Sequence, residues 1–530
     1  MTDLYPEFFN DVFGPITQPG SSSHMAGPCR AGFLANSLLG EQVSEIVIEL
    51  DPEGSFHEGF GQMNEDVGML NGAHGNLPVA KDFFDIKKIL KDEGIPYRFE
   101  YTHLKESSHP NAMRFTLTGI SGRRIRLTAN SIGGGMVEIV DICGYSFSGK
   151  GDTAVLFIEQ NGKCEEDHTK IKEALKEFGV LFSGTDVKDK TLHWFKLEKE
   201  ISSEDAQTLL QALGIEAKTL GSLRPILPVP TTEDKLPQKF KSMIELRELA
   251  EKEGKTLFDV AVDYEVAASG WSREEVLAHM REEVEPFMKR RITALYEDES
   301  LLIYNPFRKI YYREWEEKAD GKLVSGVTER AIHYMHSAQA MMKGVLDVPG
   351  PMSNGAGYMY SVLQAVREAY DLTDEDVLRG LFIAAGVGAI AYTRTAPTGE
   401  IIGCAGECGV CAAMTAAAVA EMLRATPIQV ENAASMTLQA AIGWPCDPVP
   451  GGQGTPCTSR TLFIVTMPQV YARWAMMGTE LIIPFHEVLD AADKVGRGLP
   501  SGLLCTARGG LCDTPSGKKC MECFNKALTK

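Results

Sequence analysis

Residues 403–411 read GCAGECGVC, residues 444–449 WPCDPV and residues 454–460 GTPCTSR. Cys404, Cys446 and Cys457 each stand in a Gly/Pro-rich bend beside an apolar helical run, Cys404 ahead of AAMTAAAVAEML and Cys446 after ASMTLQAAIGW. A bend exposes a thiolate while packed helices fix its position, and an iron-sulfur cluster needs thiolates in a partly dry pocket. Three cysteines on a four-iron cluster leave one iron unclaimed, a Lewis acid able to bind a hydroxyl or carboxylate and help expel water. The stretch therefore predicts a helical domain organised around a 4Fe-4S cluster.

The rest of the composition is compatible with that reading. The chain has 530 residues, 44% hydrophobic and 24% charged, enough for three or four domains with sizeable cores. A formal net charge of -19, with no block of Lys/Arg, argues against nucleic acid as a partner. The N-terminal MTDLYPEFFNDVFG lacks the basic and apolar regions of a signal peptide. The longest apolar run, LFIAAGVGAIAY at 381–392, is short for a bilayer span, so no membrane partner is expected and the location is read as cytoplasmic. Twelve cysteines in so long a chain, most of them from residue 404 onward, favour metal in a reducing compartment over a disulfide framework.

Read in order, the fold class is multidomain α+β. Up to about residue 145, strand-like runs (44–50, 114–120, 123–129) alternate with helical ones, which predicts an α/β domain. Within it GSSSHMAGPCRAG, from Gly20 to Gly32, places small hydroxyl residues and glycine ahead of a helical run; it is either a carboxylate cradle or only a helix cap. Residues 146–224 read β–α–β–β–α–β, with Ser202 and Asp205 spaced as a capping box. Pro225, Pro228, Pro230 and Pro237 mark a linker over 225–238, and 239–530 is mostly helical, with caps at Ser272/Glu275 and Thr373/Asp376.

The spacing of Cys404, Cys446 and Cys457, Cys-Asp-Pro-Val at 446–449, Pro-Cys at 456–457, Glu407, Met414 and Arg508-Gly-Gly-Leu511 resemble the catalytic half of the iron-sulfur-dependent L-serine dehydratases. The Gly20–Gly32 turn resembles the Ser-Ser-Ser-His-Thr-x-Gly-Pro of their β domain, and HPNAMRF at 109–115 and SIGGGMV at 131–137 match further motifs of that domain in order. FKSMIELRELAEKEGKTLFDVAVDYE looks like the start of their α subunit, and residues 146–224 look like an ACT-type regulatory module, with a mere dimer-contact spacer as the alternative. The resemblance implies fused β and α portions and an oxygen-sensitive ammonia-lyase of amino-acid metabolism. It would remove water, or another β-leaving group, from an L-serine-like amino acid, and a homodimer is expected. Cys404, Cys446 and Cys457 would hold the cluster. Ser22, Ser23, His24, Asn111, Ser353, Asn354 and Arg308 are candidates for substrate contacts, and His57 or His109 for the base.

Two features pull against a simple transfer. Cys404, Cys408 and Cys411 also spell the C-x3-C-x2-C of radical S-adenosylmethionine enzymes; the alternative is that Cys408 and Cys411 only pack beside the cluster. The dehydratases' Gly-His-Gly-Thr-Asp is replaced by GQMNED at Gly61–Asp66, which lacks the histidine, and their Thr-Gly-Gly-Asp and Thr-Ala-Gly-Ser loops by LLIYNPFRKIYY and GPMSNGAG. Lost chemistry would leave an amino-acid sensor on the same scaffold. Retained chemistry predicts a substrate bulkier or more acidic than serine, with Arg308 as counter-charge and Tyr304, Phe307, Tyr311 and Tyr312 around it. In the tail, Cys512, Cys520 and Cys523 are open as a cluster cap or a separate zinc pair.

Overall fold

The structure is a computed structural model; it describes residues 5–162, 165–232, 235–303, 310–480 and 482–528. The N-terminal portion is one six-stranded sheet in the order β2-β1-β3-β4-β5-β6, made of β1 (Val43–Leu50), β2 (Tyr97–Tyr101), β3 (Ala112–Gly119), β4 (Arg124–Gly133), β5 (Met136–Ile142) and β6 (Tyr145–Gly149). Only β1 and β2 run parallel. Period-two alternation builds it: Ile48 opposes Phe115, which opposes Leu127, and this face is buried, while Glu49, Arg114 and Thr128 share the other. Helices α1 (Gly27–Leu39) and α2 (Glu65–His74) pack together beside the sheet, α1 crossing β3, β4 and β5.

Strands β7 (Ala154–Asn161), β8 (Val180–Val187), β9 (Lys190–Leu197) and β10 (Ala217–Leu223) form an antiparallel sheet in the order β10-β7-β9-β8. Helices Glu165–Ala174 and Ser203–Ala212 complete a β–α–β–β–α–β unit, the second capped by Ser202 accepting from the Asp205 amide. The proline-rich stretch that follows is docked rather than free. Val229 is buried and its amide donates to Asn10, while Lys235 is buried against Glu7 at 2.6 Å.

From Met243 onward the described chain is helical apart from turns and isolated bridges. The helix Asp374–Arg394 opens with a capping box at Thr373/Asp376 and runs through the middle, packed on Leu257–Ser269, on Val410–Met422 and on the N-terminal turn Phe8–Val12. It alone among the described helices is long and apolar enough to cross a membrane, and Leu381–Ala391 is buried inside the protein throughout. Phe8 stacks on Tyr264 at 5.1 Å and its amide donates to the buried Glu265, so Phe8, Phe9, Val12 and Phe13 are part of the helical core.

The two large portions meet at the β4–β5 hairpin. Its tip, Gly133–Gly135, has positive φ at all three residues, and a Cβ on Gly134 would stand 2.7 Å from the Tyr392 hydroxyl. Glycine is required here by both conformation and close approach. The contact brings the turn Ser22–Ala26, held by Ser131 Oγ donating to the Ser23 carbonyl at 2.6 Å, up to the cysteine-bearing helices.

Candidate active site and metal centre

Cys404, Cys446 and Cys457 stand on three separate elements, with Cys404 and Cys446 brought within 4.8 Å and Cys457 close to Cys408. Cys404 does not sit in an open bend as its glycines suggest: residues 405–409 form a wide helical turn leading directly into Val410–Met422, and Cys404 caps it. The chain reverses one residue earlier, at Gly403, whose φ is +71° and whose Cβ would lie 2.2 Å from the Trp444 carbonyl. Cys446 is extended, its amide bonded to the Leu503 carbonyl and its carbonyl to the Cys505 amide. Cys457 opens the helix Cys457–Thr466.

The sulfurs form a continuous group. The Cys404 and Cys446 sulfurs lie within 4.8 Å of each other, Cys404 is electrostatically linked to Cys408 and Cys446 to Cys505, and Cys457 lies close enough to act on Cys408. Arg460 Nη1 donates to Cys404 Sγ at 3.4 Å while Nη2 pairs with Asp447 at 2.7 Å. The neighbouring thiols, helped by Arg460, outweigh burial and hold Cys404 well below the ordinary thiol range. A thiolate is the form that binds metal, so this donor set fits an iron-sulfur cluster. Glu407 lies within 4.8 Å of Cys404 and Cys446, its carboxyl driven well above the usual range by burial and then by the charges of Glu400 and Cys404.

A second group abuts the first. Ser23 Oγ donates to Glu400 Oε1 at 2.7 Å, and His24 Nδ1 stands 3.1 Å from the same oxygen. Thr398 adds a further bond to Glu400, and Cys505 lies within 4.8 Å of both His24 and Glu400. Burial opposes charge on both partners. Cys505 and Glu400 nevertheless raise His24 well above its ordinary value, and His24, Thr398 and Ser23 hold Glu400 well below its own. The result is a buried imidazolium–carboxylate pair. Burial lowers His109, with the charge of Glu400 acting the other way, which puts it near this group; its Nδ1 accepts from the Asn111 amide at 3.1 Å. Asn111 itself is buried and bonded to Ser55.

The other candidates are placed differently. His57 is on the rim, about one third exposed, between Glu58, Arg508 and Tyr101; its neighbour Phe56 packs edge-on to His24 at 5.2 Å. Ser22 is buried beside Ser23, and Ser353 is half-buried. Asn354 is buried at the start of Gly355–Tyr370, its Nδ2 donating to the Ala338 carbonyl, and Met352 of the same loop touches Cys408 at 3.9 Å. Tyr304, Phe307 and Arg308 lie outside the described residues, and Tyr311 is exposed. Cys512 is buried against the Pro448 carbonyl, Cys520 is half-buried and Cys523 exposed.

Cys411 faces away from the other sulfurs and donates to the Gly355 carbonyl at 3.3 Å. Cys411→Ala is therefore expected to keep a full complement of iron and to cost about 1 kcal/mol in unfolding experiments. Loss of the cluster in this variant would support a ligand set of Cys404, Cys408 and Cys411.

A family model described as the serine dehydratase alpha chain matches residues 204–512. The chain belongs to that family. It is 27% identical over 283 residues to the probable L-serine dehydratase alpha chain of Bacillus subtilis, covering 53% of this chain and 93% of the relative. It is 30% identical over 159 residues to the L-serine dehydratase beta chain of Peptoniphilus asaccharolyticus, covering 30% and 69%. With L-serine dehydratase 2 of Escherichia coli it shares 25% identity over 525 residues, 93% of this chain and 95% of the relative. The part matching the serine dehydratase alpha chain carries Glu400 and all the converging cysteines, whereas Ser23, His24 and His109 come from outside it.

Sequence reasoning missed three residues of the site. Glu400 had a signal, a Thr-x-Glu only four residues before Cys404. Glu65 lay in the GQMNED stretch that was notable only for what it lacks. Cys505 had none: its place depends on the bridge between Cys446 and Leu504, a pairing across more than fifty residues.

Proposed function

We propose that the protein is an iron-sulfur-dependent ammonia-lyase that eliminates water from L-serine or a close β-substituted analogue, giving a 2-oxo acid and ammonia. The observation that carries this reading is the meeting of the cysteine group, from the family-matched helices, with the Ser23–His24–Glu400 group across the interface. Cys404, Cys446 and Cys457 would hold a 4Fe-4S cluster, which supplies a Lewis-acidic iron for the departing hydroxyl. Ser22, Ser23 and Asn111 supply neutral polar groups. His24, kept cationic by Glu400, pairs with the substrate carboxylate. Asn354 offers a buried side-chain oxygen that accepts no bond within the protein, suited to the substrate ammonium. Burial of this set excludes water and strengthens each of those contacts.

The β–α–β–β–α–β unit is read as an ACT-like regulatory module on its strand order, and a homodimer as the working assembly. The cysteines of the described residues are free, which suits a reducing compartment such as the cytoplasm. The orientation of Cys411 speaks against radical chemistry, and the buried charged pair beside the thiols is the equipment of a catalyst rather than of a bare sensor. Anaerobically purified holoprotein is expected to release ammonia and pyruvate from L-serine in equal amounts. A protein with a full cluster that releases neither from L-serine, L-threonine or larger analogues overturns the reading.

A further inference from the structure

The resemblance leaves Gly61–Asp66 without a histidine, and the question left open is which group here accepts the α-proton. The chain replaces the histidine loop with one that wraps a carboxylate. The Gly61 and Met63 amides both donate to Glu65 Oε2, at 2.9 and 3.0 Å. Asn64 makes the reversal possible by adopting a left-handed conformation, φ +62°. Glu65 is 2% exposed, and its own backbone amide also bears on the carboxyl. The carboxyl is thus oriented by backbone donors converging on Oε2.

Glu65 also faces the right way. It begins α2, and three residues on, Gly68 lies so close to the Ser22–Ala26 turn that a Cβ there would stand 2.3 Å from the Met25 carbonyl. Residues three apart share a helix face, so the carboxyl of Glu65 is directed to the side that carries His24. Its electrostatic neighbours agree: His24 from the turn, Asp66 from its own helix, and Tyr101, whose phenol is raised by burial and then by Glu65. The nearby cation Lys87 is engaged by Asp66. No lysine or arginine among the described residues pairs with Glu65, so His24 is the cation closest to it in effect.

We propose that Glu65 is the general base of this chain, taking the α-proton of the amino acid. The inference rests on the lyase reading above. Glu65 Oε1 accepts the proton from Cα. The C–H electron pair becomes the Cα=Cβ bond, and the Cβ–O bond breaks with hydroxide leaving on the cysteine side; it takes a proton from solvent to depart as water, and Glu65 later returns its proton to solvent. The enamine tautomerises and water hydrolyses it to the 2-oxo acid and ammonia, with no net oxidation. Burial pushes the Glu65 carboxyl up to about 7, against the pull of His24, so the group is ionised in part of the population at neutral pH and basic enough to act.

The test uses anaerobic holoprotein with L-serine and [2-²H]-L-serine. Glu65→Gln, isosteric and able to keep the Gly61 and Met63 bonds, is expected to lower kcat by about 10²- to 10⁴-fold. KM and the cluster absorbance should hardly change. The acid limb of the wild-type pH profile, near pH 7, should disappear from the residual rate, and the deuterium isotope effect should rise as proton removal becomes limiting. Glu65→Asp should recover part of the rate. A Glu65→Gln variant within about threefold of wild type, its acid limb intact, overturns the role. So does a wild-type profile with no acid limb, which decides the matter even if the variants fail to fold. Wild-type holoprotein inactive on every β-substituted amino acid instead overturns the lyase reading, and this role with it.

Discussion

Anaerobically purified Cys446→Ala/Cys457→Ala protein is expected to contain no intact cluster, while the wild type contains equal iron and sulfide and loses its visible absorbance in air. The physical reason is that the two residues come from different scaffolds. Cys446 is fixed by its two backbone bonds to residues 503–505, and Cys457 by the first turn of its own helix. The neighbouring thiols are already engaged: Cys408 is held with Cys404 on the same helical turn, and Cys505 is shared between Cys446 and His24. With two of the three proposed ligands removed, Cys404 would be left as a single anchor, too few to retain a four-iron unit. Because bound metal contributes its binding free energy to folding, the variant should also melt lower than wild-type holoprotein, by a margin that vanishes when both are compared as apoprotein. Iron and sulfide analysis with Mössbauer spectra reads the first effect and calorimetry the second. Retention of full iron in the double variant would falsify the assignment.

What could be read from the sequence, and what could not, follows from how far apart the interacting residues lie. Strand β1, with alternating apolar residues, and the capping boxes at Ser272/Glu275 and Thr373/Asp376 are set by residues within one turn or one pleat, and the structure contains them. The cysteine pattern at 404, 446 and 457 was legible for another reason: bend chemistry marks each position even though the geometry at Cys404 turns out helical. Glycine is ambiguous in such a stretch. At Gly403 it serves a reversal, whereas Gly406 and Gly409 lie inside a wide helical turn that closes around them. The second half of the site obeys no local rule. Ser23 and Glu400 are separated by 377 residues, and Cys446 finds Cys505 through a backbone bridge. Glu65 is marked by two amide donors, Gly61 and Met63, that no local sequence pattern announces. Proline spacing likewise marked residues 225–238 as a linker, but it carries no information on the buried Lys235–Glu7 pair that docks the stretch.

Glu400→Ala should be the most disruptive single substitution at the site. The carboxylate is the common acceptor for Ser23, Thr398 and His24, and the side chains of His24 and Glu400 are 0% and 1% exposed. Removing one member of a buried ion pair strands the other, at a cost of about 3–5 kcal/mol. Ser23 and His24 belong to the sheet portion and Glu400 to the helices, so the same change also loosens the interface on which the site depends. Glu400→Gln keeps shape and an acceptor oxygen but loses the charge, and is expected to fall between the two. The pH dependence distinguishes a real pair from a neighbour. Glu400 is depressed from its ordinary 4.5, so its contribution to stability is complete above that value and is lost as pH falls through the folded value. His24 is raised from 6.5, so its contribution is complete below 6.5 and lost as pH climbs through its folded value. Both contributions coexist between about 4.5 and 6.5, and there the deficit of Glu400→Gln, measured by urea unfolding of the apoprotein, should be greatest. It should shrink toward either side. A variant as stable as wild type across that window, with an unshifted His24 titration by NMR, would show that Glu400 merely fills space beside the imidazole.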